Sequence, residues 1–153
     1  MSTKANQLNL KLACGELTGP LPNRSNGNCA PRAFLRSLNL PYTPKDITRF
    51  RRRLAAGCDA SSARYSMLAG KKPLAFDVGE LQYTASTYQV AIALHIPHWK
   101  WVVFMPKSDC GASFNDIPTE RRSFLCIKGT GHCQPFLAVG RVDLSSWELY
   151  TGN

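Results

Sequence analysis

The sequence lacks several patterns that define large classes of proteins. Its six cysteines include no Cys-x-x-Cys pair, which argues against a structural zinc site. The polar N-terminus has no signal-peptide pattern, so a secreted disulfide framework is also disfavoured. No stretch approaches the roughly 20 consecutive apolar residues that a membrane-spanning helix requires. We therefore expect a cytoplasmic protein with no membrane span, no bound metal and no cofactor.

Acidic residues are scarce as well. Ten Asp and Glu oppose 19 Lys and Arg, which gives a formal net charge of +9. Basic proteins of this kind often meet nucleic acid or acidic partners. The densest run is Arg49-Phe50-Arg51-Arg52-Arg53, and its arginines are expected mainly on the solvent-exposed faces of a helix that buries Ile47, Phe50 and Leu54.

The order of periodic segments predicts the fold class. The chain has no internal repeat and no clear linker, so we expect one domain over residues 1–153. Helical spacing of apolar residues precedes β-like alternation, which predicts an α+β protein with N-terminal helices packed on a mostly antiparallel sheet. The predicted helices are residues 30–38, 43–56 and 77–88, and the predicted strands are residues 90–94, 99–105, 123–127, 135–139 and 142–150.

Two of the predicted helices begin with capping residues. Thr43 is a good N-cap, followed by Pro44 at the first helical position and by Asp46. Asp77 and Glu80 have the spacing of a capping box. These signals place the starts of the second and third helices.

Cys29 stands at the start of the first predicted helix. Residues 15–28 are rich in Gly, Pro and Asn and are predicted to form a loop, and Pro31 suits the first helical turn. The unpaired N–H groups and the positive dipole at a helix N-terminus favour the thiolate, which is the nucleophilic form of cysteine. Cys29 is therefore a candidate nucleophile, and a buried cysteine that begins a core helix is the simpler alternative.

His132 is the best placed of the three histidines to act as the base. It follows the turn Lys128-Gly129-Thr130-Gly131 and precedes a predicted strand. An imidazole there could take the proton of the thiol and later pass it to a leaving amine. His95 and His98 flank a strand end near two tryptophans, and we interpret them as structural or surface residues.

Gln134 and Asp143 are alternative partners for the imidazole. Gln134 lies two residues beyond His132, so a strand would direct both side chains to the same face. Asp143 lies on the next predicted strand, and its carboxylate would stabilise an imidazolium more strongly than an amide does. The sequence does not choose between the two.

Acyl transfer also produces a negative oxygen that needs hydrogen-bond donors near the sulfur. The backbone N–H of Cys29 is one candidate. The side chain of Asn26 and the turn amides of Gly27 and Asn28 are further candidates for this oxyanion site, because they lie directly before the cysteine.

Three blocks of the sequence, in order, resemble the ovarian-tumour (OTU) family of cysteine proteases. Gly27-Asn28-Cys29-x-x-Arg32-Ala33 resembles the nucleophile block, commonly Asp-Gly-Asn-Cys-x-x-Arg-Ala. Residues 80–92 resemble the helix and apolar strand of that family. His132-Cys133-Gln134 stands where the family has His, usually an aromatic residue, and then Asn or Asp. Asn26 replaces the acidic residue three positions before the cysteine.

The resemblance implies an OTU/papain-like fold and catalysis by a cysteine and a histidine. Compact domains of this kind occur in the polyproteins of plus-strand RNA viruses, such as tymovirus-like viruses. The resemblance thus implies cleavage of viral polyprotein junctions, removal of ubiquitin or a ubiquitin-like protein from conjugates in the host cytosol, and substrate tails that end in Gly.

Two other functions compete with this hypothesis. A nucleic acid could bind through the arginines of residues 49–53 and the aromatic segment Trp99-Lys100-Trp101. Alternatively, the fold could be an inactive protease-like module that only binds a partner.

Overall fold

The computed structural model describes residues 10–24, 26–59, 68, 79–96, 100–109, 111–129 and 131–152. Within these residues the chain forms three helices and two sheets, so the predicted α+β class is confirmed. The helices are α1 (Cys29–Ser37), α2 (Pro44–Ala55) and α3 (Gly79–Tyr88). The strands are β1 (Leu12–Thr18), β2 (Ala91–His95), β3 (Trp101–Phe104), β4 (Arg122–Lys128), β5 (His132–Pro135), β6 (Leu137–Leu144) and β7 (Trp147–Leu149).

The main sheet has the strand order β5-β4-β2-β3-β7. The pairs β5–β4 and β2–β3 are antiparallel, whereas β2–β4 and β3–β7 are parallel. The predicted mostly antiparallel sheet is therefore a mixed one. The reason is that the chain places β4 beside β2 and not beside β3, so that two strands with the same direction pair. A second sheet contains the antiparallel pair β1 and β6.

The main sheet is buried on both faces. On one face the three helices bury a cluster that includes Phe34, Leu54 and Ile92. On the other face the β1–β6 sheet covers a second cluster that includes Trp101 and Phe124. The central strand β2 is buried along its whole length for this reason. The layer order is helices, main sheet and small sheet, and α1 packs beside the edge strand β5.

The start of α2 confirms the capping prediction. Thr43 Oγ1 accepts the backbone N–H of Asp46 at 3.2 Å, and Asp46 Oδ2 accepts the N–H of Thr43 at 2.9 Å. Pro44 occupies the first helical position, where no N–H is needed. The helix start is therefore determined locally. Asp77, which belongs to the other predicted capping box, lies outside the described residues.

Several predicted strand limits are wrong. Strand β1 occupies part of the predicted loop, because Gly15 takes a φ of +87° at an irregularity in the pairing with β6. A side chain at this position would collide with the backbone of β6. Strand β6 runs through Gly140, where the sequence predicted a turn. Both differences arise from one long-range strand pairing that local patterns do not reveal.

Trp101 and His95 are core residues. Trp101 is 1% exposed and its Nε1 donates to the carbonyl of Leu10 at 2.5 Å. The His95 ring packs edge-on against it at 4.9 Å between ring centroids. The interpretation of His95 as structural thus fits its burial, whereas the nucleic-acid hypothesis loses Trp101 as a stacking surface. His98 and Trp99 lie outside the described residues.

Candidate active site

Cys29 is the first residue of α1, and a tight turn positions it. The backbone N–H of Cys29 donates to the carbonyl of Asn26 at 3.0 Å, and the N–H of Asn28 donates to Asn26 Oδ1 at 2.9 Å. An Asx-type turn of this kind holds the chain as it enters the helix. The side chain of Cys29 therefore has a defined direction and is mostly buried.

The sulfur of Cys29 contacts the strand that begins with His132. Its Sγ lies 3.9 Å from the carbonyl oxygen of Gly131 and accepts the backbone N–H of Cys133 at 3.5 Å. These two atoms belong to the peptide groups on either side of His132. The fold therefore brings together two parts of the chain that lie 102 residues apart.

The contact occurs at the outer edge of β5. The two carbonyls of Cys133 and Pro135 and the N–H of Cys133 all bind groups outside the sheet. Because His132 and Gln134 alternate with these residues, their backbones face the neighbouring strand β4. The sulfur thus lies beside β5, at the position along the strand from which the His132 side chain extends.

The imidazole of His132 retains an unused buried nitrogen. Its Nδ1 is buried and has no hydrogen-bond partner within the described part of the chain. A neutral imidazole has one donor nitrogen and one acceptor nitrogen, and the partner of one determines the role of the other. An acceptor for Nδ1–H would leave Nε2 free to receive the proton of a thiol.

Gln134 offers such an acceptor on the same face of β5. Its Nε2 donates to the carbonyl of Leu21 at 3.0 Å, and this contact fixes which end of the amide is the oxygen. Its Oε1 is buried and, like Nδ1 of His132, lacks a partner among the described residues. An unpaired donor and an unpaired acceptor therefore occupy neighbouring positions of one strand face.

Asp143 does not serve the imidazole in this structure. It lies on β6 opposite Cys14 of β1, and its carboxylate pairs with Arg122 at 3.1 Å and Arg141 at 3.2 Å. Partial loss of solvent raises the pKa of this carboxyl, but the arginine hydrogen bonds outweigh this effect and leave the pKa below its ordinary value. The alternative in which Asp143 orients His132 is thus wrong, because β6 pairs with β1 and not with β5.

Part of the predicted oxyanion site is already occupied. The N–H groups of Cys29 and Asn28 are used inside the turn, and the side chain of Asn26 acts there as an acceptor. The carbonyl of Gly27 accepts a guanidinium N–H of Arg51 at 3.4 Å. In the resting state the N–H groups of Asn28 and Cys29 therefore serve the turn, whereas the Gly27 N–H and the Asn26 amide nitrogen stay candidate donors for the oxyanion.

Arg51 is a buried support of this turn. The side chain is 4% exposed, its Nε donates to the carbonyl of Leu68 at 3.0 Å, and one terminal nitrogen donates to Asn28 Oδ1 at 3.0 Å. Burial lowers the pKa of Arg51, and the nearby carboxylate of Glu80 opposes this shift. The prediction of an exposed Arg51 is wrong. Arg51 follows Ile47 by four residues, and this helical spacing puts both side chains on the buried face of α2.

Asn23 is a second residue that the sequence did not reveal. Its Nδ2 donates to the carbonyls of Cys29 and Cys133, both at 2.8 Å. Its Oδ1 accepts the backbone N–H of Arg24 at 3.1 Å and a guanidinium N–H of Arg32 at 3.4 Å. One amide thus joins the start of α1 to β5. Within a Pro- and Asn-rich loop, no local pattern distinguishes this asparagine from its neighbours.

Two further cysteines near the site are buried. Burial raises the pKa of Cys126 to about 11. Burial, with a contribution from Cys29, also raises the pKa of Cys133, which is 3% exposed. Both thiols stay protonated near neutral pH and have little nucleophilic character.

Comparison of the sequence with protein-family models and with curated proteins finds no match in either set. No helix within the described residues is long and apolar enough to cross a membrane. In the same part of the chain, no group of three or more His, Cys, Asp and Glu side chains is placed to hold a metal ion.

Proposed function

We propose that the chain is a cysteine hydrolase in which Cys29 is the nucleophile and His132 the general base. The observation that supports this proposal is the contact of the Cys29 sulfur with the peptide groups on both sides of His132. The sulfur lies at the start of α1, and β5 directs the backbone N–H of Cys133 at it.

The proposed reaction follows from these positions. Nε2 of His132 takes the thiol proton as the sulfur attacks a substrate carbonyl carbon, and the resulting imidazolium protonates the leaving amine. The acyl group then remains on sulfur as a thioester, which water hydrolyses with the same histidine as base. Gln134 is the positioning residue, because its Oε1 can accept Nδ1–H and keep Nε2 directed at the sulfur.

The proposed substrates are peptide or isopeptide bonds that follow Gly. The likeness of residues 27–33 and 80–92 to OTU proteases supports this class, together with a cysteine-bearing helix packed beside a histidine-bearing strand. Within it, we propose viral polyprotein junctions and conjugates of ubiquitin or a ubiquitin-like protein as the substrates, and an OTU/papain-like fold for the chain.

The direct test is hydrolysis of a fluorogenic substrate attached to the C-terminus of ubiquitin. We expect Cys29→Ala and His132→Ala to abolish turnover, because they remove the nucleophile and the base. Cys14→Ala is the matched control, since Cys14 is exposed on β1, and it should keep the wild-type rate. Unchanged turnover in Cys29→Ala would disprove the assignment.

A second test does not depend on the choice of substrate. We expect iodoacetamide to alkylate Cys29 in the folded protein, and replacement of His132 by Ala should slow this reaction. Cys126 has a pKa of about 11, so only about a thousandth of it is thiolate near pH 8. It should react only after unfolding, and the nucleophile assignment fails if Cys29 reacts no faster than Cys126.

A further inference from the structure

An open groove lies along the loop and turn that precede Cys29. Its volume is about 680 Å³, and it runs from the loop before α1 across the starts of α1 and α2. Its lining includes Asn28, which directly precedes Cys29, and Asn23, whose side chain donates to the carbonyl of Cys29 at 2.8 Å, together with Tyr42. The groove therefore reaches residues that contact or adjoin Cys29 in the chain.

Three arginines surround the groove. Arg24 is exposed, and Arg32 and Arg36 are half-buried one helical turn apart on α1. No Asp or Glu among the described residues lines the groove or forms an ion pair with these arginines. Three positive charges thus share one surface, and none of the described carboxylates neutralises them.

The arginines are held in place by neutral groups. Arg36 donates to the carbonyl of Pro22 at 2.7 Å and lies over the ring of Tyr42 at 5.1 Å from its centroid. Burial lowers the pKa of Arg32, and the charges of Arg24 and Arg36 lower it further, while Cys29 acts in the opposite direction. The arginines repel one another, so an anionic ligand would relieve the repulsion.

We propose that this groove binds an acidic peptide segment of the substrate, adjacent to the bond that Cys29 cleaves. The proposal rests on the hydrolase function and adds a substrate class to it. A peptide suits the groove better than a nucleic acid, because the bound chain must continue to a carbonyl carbon at the sulfur. Pro22, Pro44 and Ile47 in its lining suit the apolar parts of peptide side chains.

The binding test measures fluorescence anisotropy of two labelled peptides with a central Gly. One peptide carries glutamates on both sides of the Gly, and the other carries glutamines. We expect the Glu peptide to bind more tightly, and the double variant Arg24→Glu/Arg36→Glu to weaken its binding about tenfold or more. Added salt should weaken it further. Lys107→Glu reverses one exposed charge outside the groove and should leave binding unchanged.

The outcomes separate this proposal from the hydrolase function. Equal binding of both peptides, or an unchanged affinity in the double variant, overturns the acidic-peptide groove even where Cys29 turns over substrate. Tighter binding of single-stranded RNA than of the Glu peptide, lost in the double variant, also overturns it in favour of a nucleic-acid site. Binding of the Glu peptide that depends on the arginines supports the groove, and Cys29-dependent cleavage of that peptide then tests the hydrolase separately.

Discussion

The polar groups around Asp143 and those around His132 are satisfied to very different degrees. Beside Asp143, the guanidinium of Arg122 is buried and donates to three backbone carbonyls and to the carboxylate. Beside Cys29, Nδ1 of His132 and Oε1 of Gln134 are buried without partners among the described residues. The Arg122 guanidinium thus uses all three of its nitrogens, whereas two complementary side-chain atoms on β5 have no partner in the described part of the chain.

This difference indicates separate roles for the two regions. Buried polar groups are normally paired, because an unpaired one loses its contacts with water without compensation. The Arg122 network has the form expected of a structural link between the two sheets. The unpaired atoms at β5 have the form expected of a site that completes its hydrogen bonds when a substrate arrives.

The largest effect is expected for Arg122→Met, which removes the buried donor of three backbone carbonyls and of Asp143, although Asp143 keeps the exposed Arg141. An unsatisfied buried acceptor typically costs about 1–3 kcal/mol, and three carbonyls lose this donor, so we expect a loss of about 3–5 kcal/mol. Urea unfolding should show a loss of this order. Arg141→Met removes an exposed partner of the same carboxylate and should cost at most about 1 kcal/mol. If Arg122→Met and Arg141→Met lower the free energy of unfolding equally, the contrast between the two regions is contradicted.

Asn23→Leu tests the paired part of the candidate site. The variant deprives the carbonyls of Cys29 and Cys133 of a shared donor, and each unsatisfied buried group costs about 1–3 kcal/mol. We expect a loss of about 2 kcal/mol in urea unfolding together with reduced turnover. Asn26→Ala, which removes an exposed turn residue, is the control and should cost less. A stability equal to that of the wild type would contradict the role of Asn23 as a link.

Gln134→Leu should separate turnover from stability. It removes one hydrogen bond to Leu21 and an acceptor that has no partner among the residues the structure describes, so the free energy of unfolding should change by about 1 kcal/mol or less. If Oε1 positions the imidazole, kcat should fall about 10- to 100-fold with little change in KM. Gln134→Glu keeps an acceptor and should restore much of the rate. Equal rates for Gln134→Leu and the wild type would exclude the positioning role.

The smallest effect concerns His95, which is buried against Trp101. Burial lowers its pKa, so the unfolded chain takes up a proton at a higher pH than the folded chain does. Its contribution to stability is therefore complete above an ordinary histidine pKa of about 6.5 and is lost as the pH falls below it. The loss is at most about 1.4 kcal/mol per pH unit. Urea unfolding of His95→Phe should be less sensitive to acid, and an unchanged sensitivity would contradict this account.

Features that depend on neighbouring residues were predictable from the sequence. The Thr43 cap, the start of α1 at Cys29 and the buried strand β2 each follow from a few adjacent side chains. The sequence also marked Cys29 and His132 as a candidate pair, but the approach of the Cys29 sulfur to the strand of His132 spans 102 residues, and no local pattern determines it. Side chains that are close in the sequence determine the cap, the helix start and the buried strand, and the folded structure contains all three.

Features that depend on distant strand pairing were not predictable. The sequence predicts a hairpin that would place Asp143 next to the candidate site. In the structure β6 pairs with β1 instead, and Asp143 binds Arg122. Arg51 was predicted on the surface because its neighbours are charged, although its burial supports the turn before Cys29. In both cases the partner that decides the outcome lies far away in the chain.

The covering of β5 has a consequence for motion. The outer edge of this strand is closed by the segment that leads into α1, through the bonds of Leu21 with Pro135 and Gln134 and of Asn23 with Cys133. The same segment therefore holds the Cys29 thiol and the His132 imidazole together. Thermal opening of this segment should move the two groups apart in one cooperative step. In hydrogen–deuterium exchange, the Leu21 and Cys133 amides should become labelled at the same rate. Because this edge of β5 is covered, a strand of another protein cannot pair with it and displace the segment that holds Cys29.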